Sequence, residues 1–132
     1  MKVHHIGYAV KDIEKAKQSF MKLGYTVEKK TVDYIRNVVI AFARNDSTII
    51  EMIAPLDNGS PIDNILEKNG AMPYHICYEV KNIEDACKSL KKDGWIILGK
   101  PSPAPAISSL EDIKVVFLYD KNIGLIELVE IK

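Results

Sequence analysis

Residues 3–10 alternate between apolar and polar or small side chains and run into Lys11-Asp12, the pattern of a half-buried strand closed by a turn. At Asp12 the period changes. Ile13, Ala16, Phe20 and Leu23 recur at three- and four-residue spacing, which predicts a helix with Asp12 as its N-cap and Gly24 as its stop. Residues 26–33, 37–44 and 48–54 return to strand patterning, with Asn37 and Asn45-Asp46 as turn residues. The order then repeats: a strand over 74–80, a helix capped by Asn82 and stopped by Gly94, and strands near 96–99, 113–120 and 124–131. Between the two runs, Ser60-Pro61 followed by Asp63 predicts a short helix, with Ser60 as N-cap and Pro61 in its first turn. Ile62, Ile65 and Leu66 give it an apolar side, and Gly70 ends it. The insert Lys100–Ile113 holds Pro101, Pro103 and Pro105, which predicts a stiff loop rather than a strand. Its pattern leaves open a plain surface connection or a substrate-facing lid.

The residues repeat as well as the pattern. His5–Tyr25 lies over His75–Trp95 without a gap at an offset of 70, pairing His5/His75, Ile6/Ile76, Tyr8/Tyr78, Ile13/Ile83 and Gly24/Gly94. Val38–Phe42 echoes Val115–Tyr119 at an offset of 77, and Ile50–Ile53 echoes Ile126–Val129 at an offset of 76. The chain therefore divides into module 1 over 1–54, a connecting helix within 55–73, and module 2 over 74–132, in one domain over 1–132.

The repeat singles out four polar residues, His5 and His75 on the first strand of each module and Glu51 and Glu127 on the last. Side chains alternate along a strand, so His5 shares a face with Gly7 and Ala9, and Ile6, Tyr8 and Val10 take the face that a helix covers. Glu51 stands between Ile50 and Met52, and Glu127 between Ile126 and Leu128, in strands otherwise fit for a core. A buried carboxylate costs several kcal/mol unless it is paired or ligates a metal. Two imidazoles and two carboxylates at matched positions would satisfy one another best around one divalent cation. The set suits Zn²⁺, Ni²⁺, Co²⁺, Fe²⁺ or Mn²⁺. His4, on the opposite strand face and without a repeat partner, reads as a surface or structural residue.

Composition narrows the partners. Lys plus Arg is 18 and Asp plus Glu is 18, a balance that argues against nucleic-acid or anionic-membrane binding. Apolar residues are 47%, as in a globular domain, and no apolar run approaches the ~18 residues of a membrane span. Cys77 and Cys87 make no disulfide framework, which predicts a reduced, cytoplasmic protein.

Two tandem βαβββ modules with His near the start and Glu near the end of each resemble the vicinal oxygen chelate superfamily. It includes glyoxalase I, methylmalonyl-CoA epimerase, extradiol dioxygenases, fosfomycin-resistance enzymes and bleomycin-binding proteins. The segment from Ile49 to Gly94 is similar to the epimerase branch, in its run from Glu51 through Ala54-Pro55-Leu56 and Ser60-Pro61-Ile62 to His75-Ile76-Cys77. The ending Lys114–Glu130 is similar to a nearby glyoxalase-like group of lactoylglutathione lyase kind. The resemblance implies an α+β fold, in which the modules form a curved, cup-like mixed sheet of eight strands with helices on its outer face.

It also implies that His5, Glu51, His75 and Glu127 hold the metal in the cup, the position of Glu51 often being Gln in epimerases. The implied activity is that of a lyase or isomerase. A metal-bound carbonyl substrate, a thioester or hemithioacetal, loses its α-proton to a carboxylate, Glu127 first and Glu51 second. The alternatives are an extradiol-type dioxygenase and a metal-free binding protein. A homodimer is implied too. The epimerases carry a further catalytic Glu on the hairpin before the strand matching Val38–Ala43. The alignment places Ile35 there, with Asp33 two residues away and Glu28 on the preceding strand.

Overall fold

The computed structural model describes residues 1–107 and 113–132 and has a mixed α+β architecture of nine strands and three helices among the described residues. The chain forms two compact units. One is His5–Tyr74; the other joins Met1–His4 to His75–Lys132. The first strand, β1 (Val3–Ala9), therefore starts in one unit and continues in the other.

The His5–Tyr74 unit contains most of β1, then α1 (Ile13–Lys22), β2 (Thr26–Val27), β3 (Thr31–Asp33), β4 (Val38–Asn45), β5 (Thr48–Pro55) and α2 (Asp63–Asn69). Its strand order is β2-β4-β5-β1, with β3 also on β4; β1 and β5 are parallel and β4 is antiparallel to its neighbours. The expected strand over 26–33 is thus two short pieces lying along β4, which is why nine strands are present where the resemblance implies eight. One face carries α1. Ile6, Tyr8 and Val10 pack with Ile13, Ala16 and Phe20 of the helix and with Ala41, Ala43, Ile50 and Met52 of the sheet. Tyr8, Phe20 and Tyr25, all half-buried, form a chain of edge-to-face rings 5.3 Å apart against that core.

The second unit contains β6 (Met72–Val80), α3 (Ile83–Lys92), β7 (Ile96–Pro103), β8 (Lys114–Asp120) and β9 (Gly124–Glu130), in the order β6-β9-β8-β7. Here too the first and last strands are parallel and the others antiparallel. Ile83, Val116, Leu118, Ile126 and Leu128 make its helix-facing core with Tyr78, Leu90 and Trp95. The backbone N–H of Glu79 donates to the Lys2 carbonyl at 2.8 Å, which ties the first residues to β6.

The predicted caps form on both long helices. Asp12 accepts from the Lys15 N–H at 3.1 Å, and Asn82 from the Asp85 N–H at 2.9 Å. A further carboxylate, Glu130, accepts from the Ile83 N–H at 2.9 Å, so two side chains serve the start of α3. Gly24 and Gly94 hold φ of 92° and 93°, a region costly for other residues, where the helices stop. Asp12→Ala should therefore lower stability by about 1 kcal/mol in urea unfolding, and Asn82→Ala by less, because Glu130 still accepts from the first turn of α3.

Three expectations are corrected. Ser60 does not cap the short helix: α2 begins at Asp63 after Ile62, and the Ser60 side chain is buried. Its carbonyl accepts from the Asp63 N–H, while the Asp63 carboxylate reaches back to the Gly59 N–H. Next, Pro101 and Pro103 lie inside β7, not in a loop. Proline is tolerated in a strand at the margin of a sheet or at a bulge, and β7 has both conditions, with a register shift between Leu98 and Ser102. The rest of the proposed insert includes residues 108–112, which lie outside the described residues.

Last, the match between β4 and β8 is two residues from the predicted one. Phe42 stands opposite Glu51 and Phe117 opposite Glu127, so Phe42 corresponds to Phe117, not Tyr119. A slip of two preserves the face of every side chain, so the apolar pattern alone does not expose it.

Candidate metal-binding half-sites

Each unit places one His and one Glu on the sheet face opposite its helix. In the first, Glu51 of β5 is in register with Gly7 of β1 on one side and Phe42 of β4 on the other. Cross-strand partners point to the same face, so Gly7, Glu51 and Phe42 form one row, with His5 two residues along β1. His5 Nε2 lies 3.4 Å from Glu51 Oε1, and the two side chains are 0% and 7% exposed. The ring of Phe42 meets the His5 imidazole edge-on, centroids 5.7 Å apart.

The second unit repeats this. Glu127 of β9 is in register with Cys77 of β6 and Phe117 of β8. His75 Nε2 lies 3.3 Å from Glu127 Oε1, with side chains again 0% and 7% exposed. Phe117 meets the His75 ring edge-on at 5.1 Å. Both His and both Glu are residues that the repeat singles out; the two phenylalanines are not among them, because the two-residue slip set Phe42 against Tyr119.

The donor atoms have the spacing of ligands more than of a hydrogen-bonded pair. N–H···O bonds cluster at about 2.9–3.0 Å. Two donors each about 2.1 Å from a common ion, at angles between octahedral and tetrahedral, lie about 3.0–3.4 Å apart. Both observed separations fall at the upper end of that interval. Imidazole and carboxylate are also the donor types that first-row transition ions take.

The other residues named from sequence are elsewhere. Ile35 is 76% exposed in the turn between β3 and β4 and carries no acid–base chemistry. Asp33 is buried but engaged by Arg36, whose Nη1 lies 2.8 Å from its Oδ2 and whose backbone N–H donates to its Oδ1. Glu28 faces solvent in part and pairs with Arg44 at 3.1 Å. His4 is half-buried. Cys77 is fully buried on the Glu127 face, under Ala104 and Ile107 of the segment after β7. That segment therefore packs on the face that bears His75 and Glu127. Cys87 is on α3; burial, then the Glu84 charge, pushes its thiol pKa up, so it stays protonated near neutrality. No helix among the described residues is long and apolar enough to cross a membrane.

A family model described as the glyoxalase/bleomycin resistance protein/dioxygenase superfamily matches residues 4–117. An ethylmalonyl-CoA/methylmalonyl-CoA epimerase of Cereibacter sphaeroides is 34% identical over 134 residues, covering 98% of each chain. Among solved structures, a hypothetical protein from Bacillus halodurans C-125 superposes with a TM-score of 0.86 at 28% identity, covering 99% of this chain and 94% of the other. A methylmalonyl-CoA epimerase in complex with methylmalonyl-CoA and NH4+ superposes with a TM-score of 0.84 over 98% of this chain and 93% of the other; at 22% identity it speaks for the fold.

Proposed function

Because the chain belongs to the glyoxalase/bleomycin resistance protein/dioxygenase superfamily, we propose that it is a metal-dependent isomerase of acyl-CoA epimerase type. In this reading His5, Glu51, His75 and Glu127 jointly hold one divalent transition ion, Zn, Ni, Co, Mn or Fe. The observation that carries it is the pair of equivalent buried His–Glu contacts at ligand spacing, one in each half of a duplicated chain. The four side chains are a His/Glu set able to hold a metal ion. The thioester substrate class is supported by the relative's identity over nearly its whole length.

The ion supplies Lewis acidity, lowering the energy of negative charge that develops on a carbonyl oxygen. The chain supplies the rest. Glu127, dry and held beside His75, is the base that takes the proton from the carbon next to the thioester carbonyl. Glu51 balances the ion's charge from the other half. Phe42 and Phe117 restrict rotation of the imidazoles and keep water off the carboxylates. Each His needs an acceptor for its second ring N–H to fix the tautomer.

The test is metal analysis by mass spectrometry of protein purified without a His tag, followed by α-proton exchange on methylmalonyl-CoA in D2O. We expect about one transition ion per chain, bound through all four residues, and exchange that stops on chelation. A protein that stays empty when Zn²⁺, Ni²⁺ and Co²⁺ are offered overturns the metal-dependent reading. A loaded protein that isomerises a hemithioacetal but leaves the thioester untouched overturns the substrate class.

A further inference from the structure

Asparagine followed by glycine occurs twice in the chain, at Asn58–Gly59 and at Asn69–Gly70, both within the His5–Tyr74 unit. The pair is reactive by its covalent geometry. The glycine backbone nitrogen can reach the asparagine side-chain carbon, and glycine has no Cβ to obstruct the approach. Both asparagines are exposed, so access to water does not separate them. The glycine nitrogens do. Gly70 caps α2, and its N–H donates to the Leu66 carbonyl at 2.9 Å, which turns the nitrogen back into the helix. Gly59 lies in the loop between β5 and α2, and its N–H donates to a side chain, Asp63 Oδ2, at 3.2 Å. A rotation of that side chain frees the Gly59 nitrogen, whereas freeing that of Gly70 requires opening the last turn of a helix. Among the described residues, none hydrogen-bonds the side-chain amide of Asn58.

The backbone at Asn58 also fastens a hairpin. Asn37, which ends the β3–β4 turn with a φ of 57°, donates from Nδ2 to the carbonyls of Asp57 and Asn58, each at 3.2 Å. It accepts in return from the Asp57 N–H at its Oδ1 and from the Leu56 N–H at its carbonyl. Tyr34 and Ile35 in the same turn are 81% and 76% exposed, so this end of the hairpin is held by the Asn37 bonds more than by packing. Asp57 Oδ1 takes the Asn58 N–H at 2.8 Å and Asp63 takes that of Gly59, which sets residue 58 between two carboxylates.

We propose that Asn58 is a site of spontaneous modification, at which the side-chain amide becomes an aspartyl or isoaspartyl group and the β3–β4 turn is unfastened. The Gly59 nitrogen attacks Asn58 Cγ and a new C–N bond forms. The nitrogen gives up its proton to solvent, the bond from Cγ to the side-chain nitrogen breaks, and ammonia leaves. Water then opens the cyclic imide. Addition at Cγ gives an aspartyl residue; addition at the backbone carbon gives an isoaspartyl link. The net change is one water consumed and one ammonia released, with no oxidation or reduction. Either product sets a third negative charge beside Asp57 and Asp63. The isoaspartyl link also adds a methylene to the main chain where Asn37 is bound.

The experiment stores wild type and Asn58→Gln at neutral pH and body temperature for several weeks, beside unaged samples of each. Trypsin places the two asparagines in separate peptides, 45–68 and 69–81, and fragmentation by mass spectrometry locates aspartate and isoaspartate in them. Conversion at Asn58 should outpace that at Asn69 by at least about tenfold, the protection of an unopened helix end. Aged wild type should melt about 4 °C below its unaged sample, the effect of losing one hydrogen bond, and aged Asn58→Gln at its own unaged temperature. An Asn58 amide that stays intact, or that converts no faster than Asn69, overturns the proposed site. Conversion at Asn58 with an unchanged melting temperature overturns the unfastening of the turn.

Discussion

Replacing Glu127 with Gln is expected to cost at least about a thousandfold in α-proton exchange while only weakening metal binding, whereas Glu51→Gln should cost about tenfold or less. The two residues look alike. Each is buried, each faces an imidazole at nearly the same distance, and each is opposite a phenylalanine. The proposed roles differ. Glu127 gives both a ligand and a base, and a neutral amide of the same shape removes the second role outright and weakens the first. Glu51 is required only as a ligand, and an amide oxygen still ligates. Metal stoichiometry and exchange rate measured on both variants separate the cases. Equal losses would show that the proton is not taken by Glu127 alone. Wild-type metal and exchange in the Glu127 variant would remove that residue from the site.

The largest change in stability is expected from Leu118→Ala, about 3 kcal/mol in urea or guanidinium unfolding and a fall of about 10 °C in melting temperature. Leu118 is 0% exposed at the centre of β8, in register with Ile97 and Ile126 and packed in the cluster under α3. Truncation leaves a void that flanking strands cannot close without breaking two ladders of backbone bonds. The cost is a large share of the ~5–15 kcal/mol by which such domains are folded. Leu118 faces the helix, so metal binding by the folded fraction should be unchanged. A loss below 1 kcal/mol would mean that the sheet closes over the gap.

Much of this could be read from the chain because duplication supplies an internal control. One histidine in a strand means little; His5 and His75 at matched positions, followed by Glu51 and Glu127 in the same order, single out four residues, and each His does lie beside its Glu. The caps at Asp12 and Asn82 were readable because they depend only on residues three apart. What could not be read depends on pairing across strands. The repeat match at Val38–Phe42 drifted by two, which keeps every face correct and still hides Phe42 and Phe117. Pro101 and Pro103 argued for a loop because proline forbids a central strand, and nothing local says that β7 has a neighbour on one side alone. Ser60 has the composition of a cap but enters the interior, and Asp63 serves the turn instead.

Those prolines also bear on how the protein behaves when crowded. An outer strand with its N–H groups unmet can recruit a strand from another chain and begin a fibril. Along β7, Ile96 and Leu98 are exposed and apolar, the composition that invites such growth. Pro101 and Pro103 remove two donors from the same strand, and the shift after Leu98 breaks its flatness, so an incoming chain finds no continuous template. Replacing both with threonine would leave the fold's interior untouched and open a route to aggregation that the native chain closes.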